Sequence, residues 1–365
     1  MQANGISEEE LFSFLSLKKG EDSNYHHVLS SMCTVPHPVA VRAHQMFIEA
    51  NLGDPGLFPG TASIEELLVE RLGALFHHPK AGGYATSGGT ESNLQALRIF
   101  AKMKGSRRPN VVVPESAHFS FEKACDILSL EMRTVPSDET FRMDVDALQE
   151  RMDKNTCCVV AVAGTTEYGV VDPVKAVSEI AHDAHVPLHV DAAFGGLVIP
   201  FLDHEIPFDF ALPGVSSVAV DPHKMGMSTI PCGSLLVREP SWFGHLNVET
   251  PYLTVKQECT LAGTRSGGAV VGAFAVLEYL GMSGMKAVVD GCMKNTRRLI
   301  EGMETYGYRR AVTPDLNVAT FEAGTVPPGW RVSRTRRGHM RTIMMPHVTR
   351  DVIEEFLQDI GEMDA

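Results

Sequence analysis

From about residue 80 to residue 240, short apolar runs alternate with stretches whose apolar positions recur every three or four residues. The runs at 111–113, 158–162, 187–190, 217–220 and 234–237 have strand length and are rich in Val. Between them, residues 91–104, 120–128, 144–152 and 174–185 carry helical spacing. Strands that are apolar throughout and separated by helices predict an α/β fold with a mostly parallel sheet covered on both faces. Upstream, Ser63 is expected to cap a helix of about four turns with the apolar stripe Ile64, Leu67, Leu68, Leu72 and Leu75. Residues 22–60, dense in Pro, His and Gly, read as an irregular connector. From about Thr264 the pattern changes. A long apolar helix to Leu280, a second over 285–306, and strands over 317–321 and 340–345 predict a smaller α+β unit. The expected division is an N-terminal segment over 1–60, a large domain over 61–263 and a small C-terminal domain over 264–365.

Composition narrows the partners. The 365 residues are 44% hydrophobic and 21% charged, enough to bury a sizeable core. With 32 basic and 45 acidic side chains the net charge is −13, which repels phosphate backbones and anionic headgroups, so neither nucleic acid nor a membrane is an expected partner. The most apolar stretch, 267–277, runs into Glu278 and is rich in Gly and Ala, as a buried helix is. The first ten residues carry Glu8, Glu9 and Glu10 and no Arg, and read as neither signal nor transit peptide. Seven scattered cysteines without a C-x-x-C pair read as reduced thiols of a cytoplasmic protein, and no metal is expected.

Three motifs carry candidate chemistry. In Thr86-Ser87-Gly88-Gly89-Thr90-Glu91-Ser92-Asn93, glycines precede a helix start whose free N–H groups attract an anion. Alone, this is also an ordinary helix entry. In Leu188-His189-Val190-Asp191-Ala192-Ala193, an apolar strand ends on an acid, where open α/β sheets bind ligands, although such an Asp also caps turns. In Asp221-Pro222-His223-Lys224-Met225-Gly226, a lysine follows an apolar strand; a semi-buried amine can have a lowered pKa and act as a Schiff-base nucleophile, whereas a surface-loop lysine would not. Together the phosphate cup, the strand-end acid and the strand-end amine are the set that a pyridoxal phosphate enzyme needs.

The motifs TSGGTESN, ESAHFSF, AGTTEYG, HVDAAFGG and DPHKMG resemble the group II pyridoxal-phosphate-dependent amino-acid decarboxylases, most closely the archaeal branch acting on L-tyrosine and L-aspartate, and the similarity covers nearly the whole chain. It implies fold type I, as in aspartate aminotransferase, with a seven-stranded sheet. It also implies a homodimer with active sites at the interface, the N-terminal segment shaping dimer and active-site mouth. It makes Lys224 the residue carrying the cofactor aldehyde, His223 its neighbour, Asp191 the partner of the pyridine nitrogen, Ala193 a ring contact, and Gly89 and Thr90 phosphate ligands. His118 matches the histidine stacking on the ring, and Thr165 or Thr166 approaches the ring hydroxyl. Ser266, within residues 263–267, would add a phosphate contact from the partner chain. Tyr252 matches the mobile-loop tyrosine that returns a proton to the product; a Tyr packed against Trp242 or Phe243 is the other reading of the same residue. Arg334, Arg336 and Arg337 read as a solvated face, and Arg341 as a carboxylate-binding arginine or a strand residue facing water.

The resemblance further implies an amino acid as small-molecule substrate, L-tyrosine giving tyramine and L-aspartate giving β-alanine, for methanofuran and coenzyme A biosynthesis. A decarboxylase for glutamate and a pyridoxal phosphate carbon–carbon lyase stand as alternatives. A binding protein with a vestigial site is opposed by intact Asp191 and Lys224. A doubly wound nucleotide-binding protein lacks G-x-G-x-x-G after its first strand.

Overall fold

In the computed structural model, which describes residues 4–364, the expected apolar runs form the centre of one sheet. Its strands are β1 (Gly82–Thr86), β2 (Asn110–Pro114), β3 (Glu131–Val135), β4 (Thr156–Val162), β5 (Leu188–Asp191), β6 (Val215–Val220) and β7 (Gly233–Val237). They lie in the order β1-β7-β6-β5-β4-β2-β3. Only β7 runs antiparallel to its neighbours. Successive side chains of a strand point to opposite faces, and here both faces are dry. Val112, Val159, Ala161 and Val190 enter one apolar cluster, whereas Val111, Val113, Val160 and Val162 enter the other. That double burial is why these strands read as continuous apolar runs.

The interleaved helices are α1 (Glu8–Gly20), α2 (Pro38–Met46), α3 (Pro59–Leu75), α4 (Gly89–Lys104), α5 (Ser120–Leu128), α6 (Val145–Arg151) and α7 (Val174–Asp183). Two differ from expectation. The segment read as irregular contains α2, started by Pro38 at its first position with the His37 ring accepting from the Val39 N–H at 3.2 Å. Helix α3 begins at Pro59, and Ser63 sits inside its first turns, donating to the Gly60 carbonyl at 3.1 Å.

Downstream of β7, a hairpin of β8 (Val248–Glu249) and β9 (Gln257–Glu258) carries the turn containing Tyr252. Helix α8 (Gly267–Thr305) follows, broken at Gly281, where φ is +56° and ψ −169°. It is long and apolar enough to cross a membrane by length and composition. Ala269, Val270 and Ala273 in its first part join the sheet's apolar cluster. Strands β10 (Val318–Phe321), β11 (Ser333–Arg334) and β12 (Met340–Ile343) form a second, antiparallel sheet. Helix α9 (Arg350–Asp364) closes it through Val352, Phe356 and Ile360. All seven cysteines are free.

Candidate active site

The carboxyl ends of β5 and β6 and the loop entering α4 surround a cavity of about 330 Å³. On its β1 side, Gly88 has φ +146° and no side chain caps α4, which leaves N–H groups of the helix start facing the cavity mouth. The glycines are required here. A Cβ at Gly89 would lie 3.0 Å from the Ala193 Cβ and 3.2 Å from an Asp221 oxygen, and one at Gly233 would lie 2.5 Å from the Gly88 Cα.

Asp191 ends β5 with both oxygens engaged. One accepts from the Ala193 N–H at 3.1 Å and the other from the Asn93 amide at 2.8 Å. Behind it, Asn93 Oδ1 contacts His189 Nε2 at 2.9 Å, and His189 Nδ1 contacts Ser217 Oγ at 2.7 Å. A carbonyl oxygen only accepts, so Nε2 carries the imidazole proton and Nδ1 accepts from the serine. Burial lowers the His189 pKa to about 4, with Asp191 opposing, so the ring is neutral at pH 7. Asn93 and His189 lie inside recognised motifs, yet nothing in spacing marks them as a chain holding Asp191. Only the contact between α4 and β5 shows it.

Lys224 follows β6, its amine 3.2 Å from Asp221. The lowered pKa expected of this amine is not found. Burial pulls it down, but Asp221 and Asp191 more than offset that, and the pKa is raised. Asp221, 2% exposed in its side chain, also lies 3.7 Å from His223 Nε2, and its other oxygen is buried with no partner among the described residues. His223 Nδ1 accepts from the Cys232 N–H at 3.1 Å, so the neutral ring carries its proton on the Nε2 that faces Asp221. His118 Nδ1 accepts from the Ser120 N–H at 3.2 Å. Burial lowers the pKa of both histidines, against the opposing pull of Asp221 on His223 and of Asp191 on His118.

Gly89, Thr90, His118, Thr166, Asp191, Ala193, His223 and Lys224 all line the cavity. Of the two candidate threonines, Thr166 does so, while Thr165 is buried and bonded to Val170. Ser266 and Tyr252 are not among the lining residues. Ser266 caps α8, accepting from the Ala269 N–H at 3.2 Å, and its neighbour Arg265 is committed to Glu65. Tyr252 is 86% exposed, so it is not packed against Trp242 or Phe243. Arg341 neither lines the cavity nor faces water: it is buried on β12, donates to Ser333 Oγ at 2.8 Å, and has its pKa pushed down to about 10 by burial. Arg336 is not merely solvated either; it donates to the carbonyls of Glu115 and Ala117, tying the C-terminal sheet to the β2–α5 loop.

An anion cradle, a held carboxylate and an amine now share one cavity, and the pattern of the pyridoxal-dependent decarboxylase conserved domain matches residues 18–315. The chain belongs to this family. A probable L-tyrosine/L-aspartate decarboxylase of Methanoculleus marisnigri is 68% identical over 365 residues, covering 100% of both chains. A probable L-aspartate decarboxylase of Archaeoglobus fulgidus is 47% identical, with 97% of this chain and 99% of that one covered. Among solved structures, the sphingosine-1-phosphate lyase of Burkholderia pseudomallei superposes with a TM-score of 0.91 at 27% identity, over 99% of this chain and 91% of that one. A glutamate decarboxylase of Lactobacillus brevis gives 0.90 at 21% identity, covering 99% and 93%, a likeness of fold. The decarboxylase is thus a fold type I carboxy-lyase whose cofactor is pyridoxal 5′-phosphate. The residues present fit that group: glycines leave room for a phosphate at a helix start, and an acid and an amine line the same cavity.

Proposed function

We propose that the decarboxylase converts L-tyrosine to tyramine, L-aspartate to β-alanine, or both. The observation that carries this reading is Lys224 and Asp191 in one cavity with the α4 cradle, in a chain 68% identical to a relative named for those two substrates. Pyridoxal 5′-phosphate supplies an electron sink for the pair left behind as carbon dioxide departs.

The chain's residues prepare that chemistry. Gly89, Thr90 and the α4 start would hold the phosphate, and Asp191, fixed by Asn93 and Ala193, would keep a proton on the ring nitrogen. Ala193 and His118, whose pKa burial lowers, would flank the ring, Thr166 would meet its hydroxyl, and Lys224 would hold the aldehyde. Neutral His223 presents its Nε2–H toward Asp221. A proton must then return to the α-carbon, and Tyr252 on its exposed turn is the donor we assign. Because Tyr252 and Ser266 lie outside this chain's own cavity, the reading includes a homodimer in which residues 1–60 shape the mouth and each chain completes its partner's site. The products suit methanofuran and coenzyme A biosynthesis in the cytoplasm.

The likeness to sphingosine-1-phosphate lyase at 27% identity supports a second reading, carbon–carbon cleavage of a phosphorylated amino alcohol. One experiment separates the two. The purified protein, loaded with cofactor, is given tyrosine, aspartate, glutamate and a phosphorylated amino alcohol, and amine and aldehyde products are quantified. Tyramine or β-alanine as the main product supports decarboxylation of these substrates, while its absence with aldehyde formed from the amino alcohol overturns it.

A further inference from the structure

Outside the residues that line the cavity, the N-terminal segment and the last helix bring three potential metal ligands together. His26 and His27 sit in a 3₁₀ turn over Tyr25–His27, capped by the Asn24 side chain, which accepts from the His26 N–H at 3.0 Å. Their Nε2 atoms meet the two oxygens of one carboxylate, Glu355 on α9, at 2.7 and 3.1 Å. All three donor groups lie within 4.8 Å of one another. We propose that His26, His27 and Glu355 form a binding site for a divalent cation of the zinc class.

The donor set selects the ion. Two imidazoles and one carboxylate suit Zn²⁺, Co²⁺, Ni²⁺ or Cu²⁺ and disfavour Mg²⁺ and Ca²⁺, which take oxygen ligands. In the tautomer with its proton on Nδ1, a neutral imidazole offers the Nε2 lone pair to a metal. The side chains are 45%, 41% and 44% exposed, which admits an ion and leaves a coordination position for water.

The groups are held before any ion arrives. The His27 carbonyl accepts from the Arg331 N–H at 2.8 Å, and the Arg331 carbonyl from the Leu29 N–H at 2.8 Å. The Trp330 ring stands edge-on to His27 at 4.7 Å and to Phe356 at 5.0 Å, and its indole N–H donates to Asp359 at 2.7 Å. A bound ion would fasten the start of the chain to its last helix. The same segment then runs on to Thr34, which bonds His347, and to His37, whose N–H donates to the Met227 carbonyl near Lys224.

The test uses the full chain loaded with pyridoxal phosphate and freed of metal by a chelator. Zn²⁺ is titrated calorimetrically and Co²⁺ by its visible d–d bands. One ion per chain is expected, with Zn²⁺ raising the melting temperature. Glu355→Gln and the double change His26→Ala with His27→Ala should each weaken binding at least about tenfold, the scale seen when a metal's supporting residues are lost, and abolish the thermal shift. Circular dichroism checks that both variants remain folded. Equal Zn²⁺ affinity in wild type and variants, or a Co²⁺ spectrum showing only thiolate charge-transfer bands from Cys33 or Cys259, would overturn the site.

Discussion

Asp221 sets the charge on the amine that has to act as a nucleophile. Its carboxylate lies 3.2 Å from the Lys224 amine and holds that group as an ammonium against the pull of burial. Asp221→Asn keeps the shape and removes the charge, so the Lys224 pKa should fall. A buried opposite charge is worth roughly 1–3 units, and the pH midpoint for forming a borohydride-reducible adduct with added cofactor should move down by about that much. An unmoved midpoint would show that the contact carries no electrostatic coupling. In the sequence, Lys224 and Asp191 are legible because each follows an apolar strand. The orientation of Asp221 toward the amine is not, since an Asp-Pro at a strand end looks like any turn.

Helix α4 and strand β5 work as one unit. Asn93 spans them, donating to Asp191 and Ser120 while accepting from His189, and its partner Asp191 is 98 residues away in sequence. Asn93→Ala would leave a carboxylate oxygen and an imidazole N–H unpaired in the interior. Each orphaned buried group costs about 1–3 kcal/mol, so melting and denaturant midpoints should drop measurably. Cofactor should also dissociate more readily, as seen by dialysis followed by absorbance, because Asp191 loses one of its two holds. Retained cofactor with only a stability loss would make Asn93 a packing residue. Element legibility follows the same logic of surroundings. The central strands are buried on both faces and show as apolar runs. The edge strand β3 exposes Glu131 and Met132, and the glycine-led β1 has little side chain to read, so neither stands out. Helix α2 is masked by the Pro and His residues that start it, and the α3 start is set by Pro59, which hides behind the more familiar cap Ser63.

At the scale of the whole molecule, α1 and Tyr252 both point outward. A 13-residue helix is marginal in water by itself. Yet none of α1 is buried, and Phe12, Phe14 and Leu17 are 58%, 53% and 66% exposed. In the proposed homodimer, the second copy would cover these apolar side chains. Removing residues 1–20 should therefore shift the protein toward monomer in light scattering. Active sites completed across such a dimer make a sharper prediction. Lys224→Ala alone should be inactive, since the amine is lost. Tyr252→Phe alone should still release carbon dioxide but protonate the product in the wrong place, giving aldehyde in place of amine. When the two variants are unfolded together and refolded as a mixture, mixed dimers pair an intact Lys224 in one chain with an intact Tyr252 in the other. If Tyr252 reaches the partner's cavity, each mixed dimer regains one competent site. With random pairing about a quarter of wild-type amine formation should return, because half the dimers are mixed and each has one working site of two. If Tyr252 instead serves its own chain, the mixture forms no more amine than the separate variants. Recovered amine would place the proton donor in trans, and the isolated chain's exposed Tyr252 would then be a residue waiting for the neighbouring cavity.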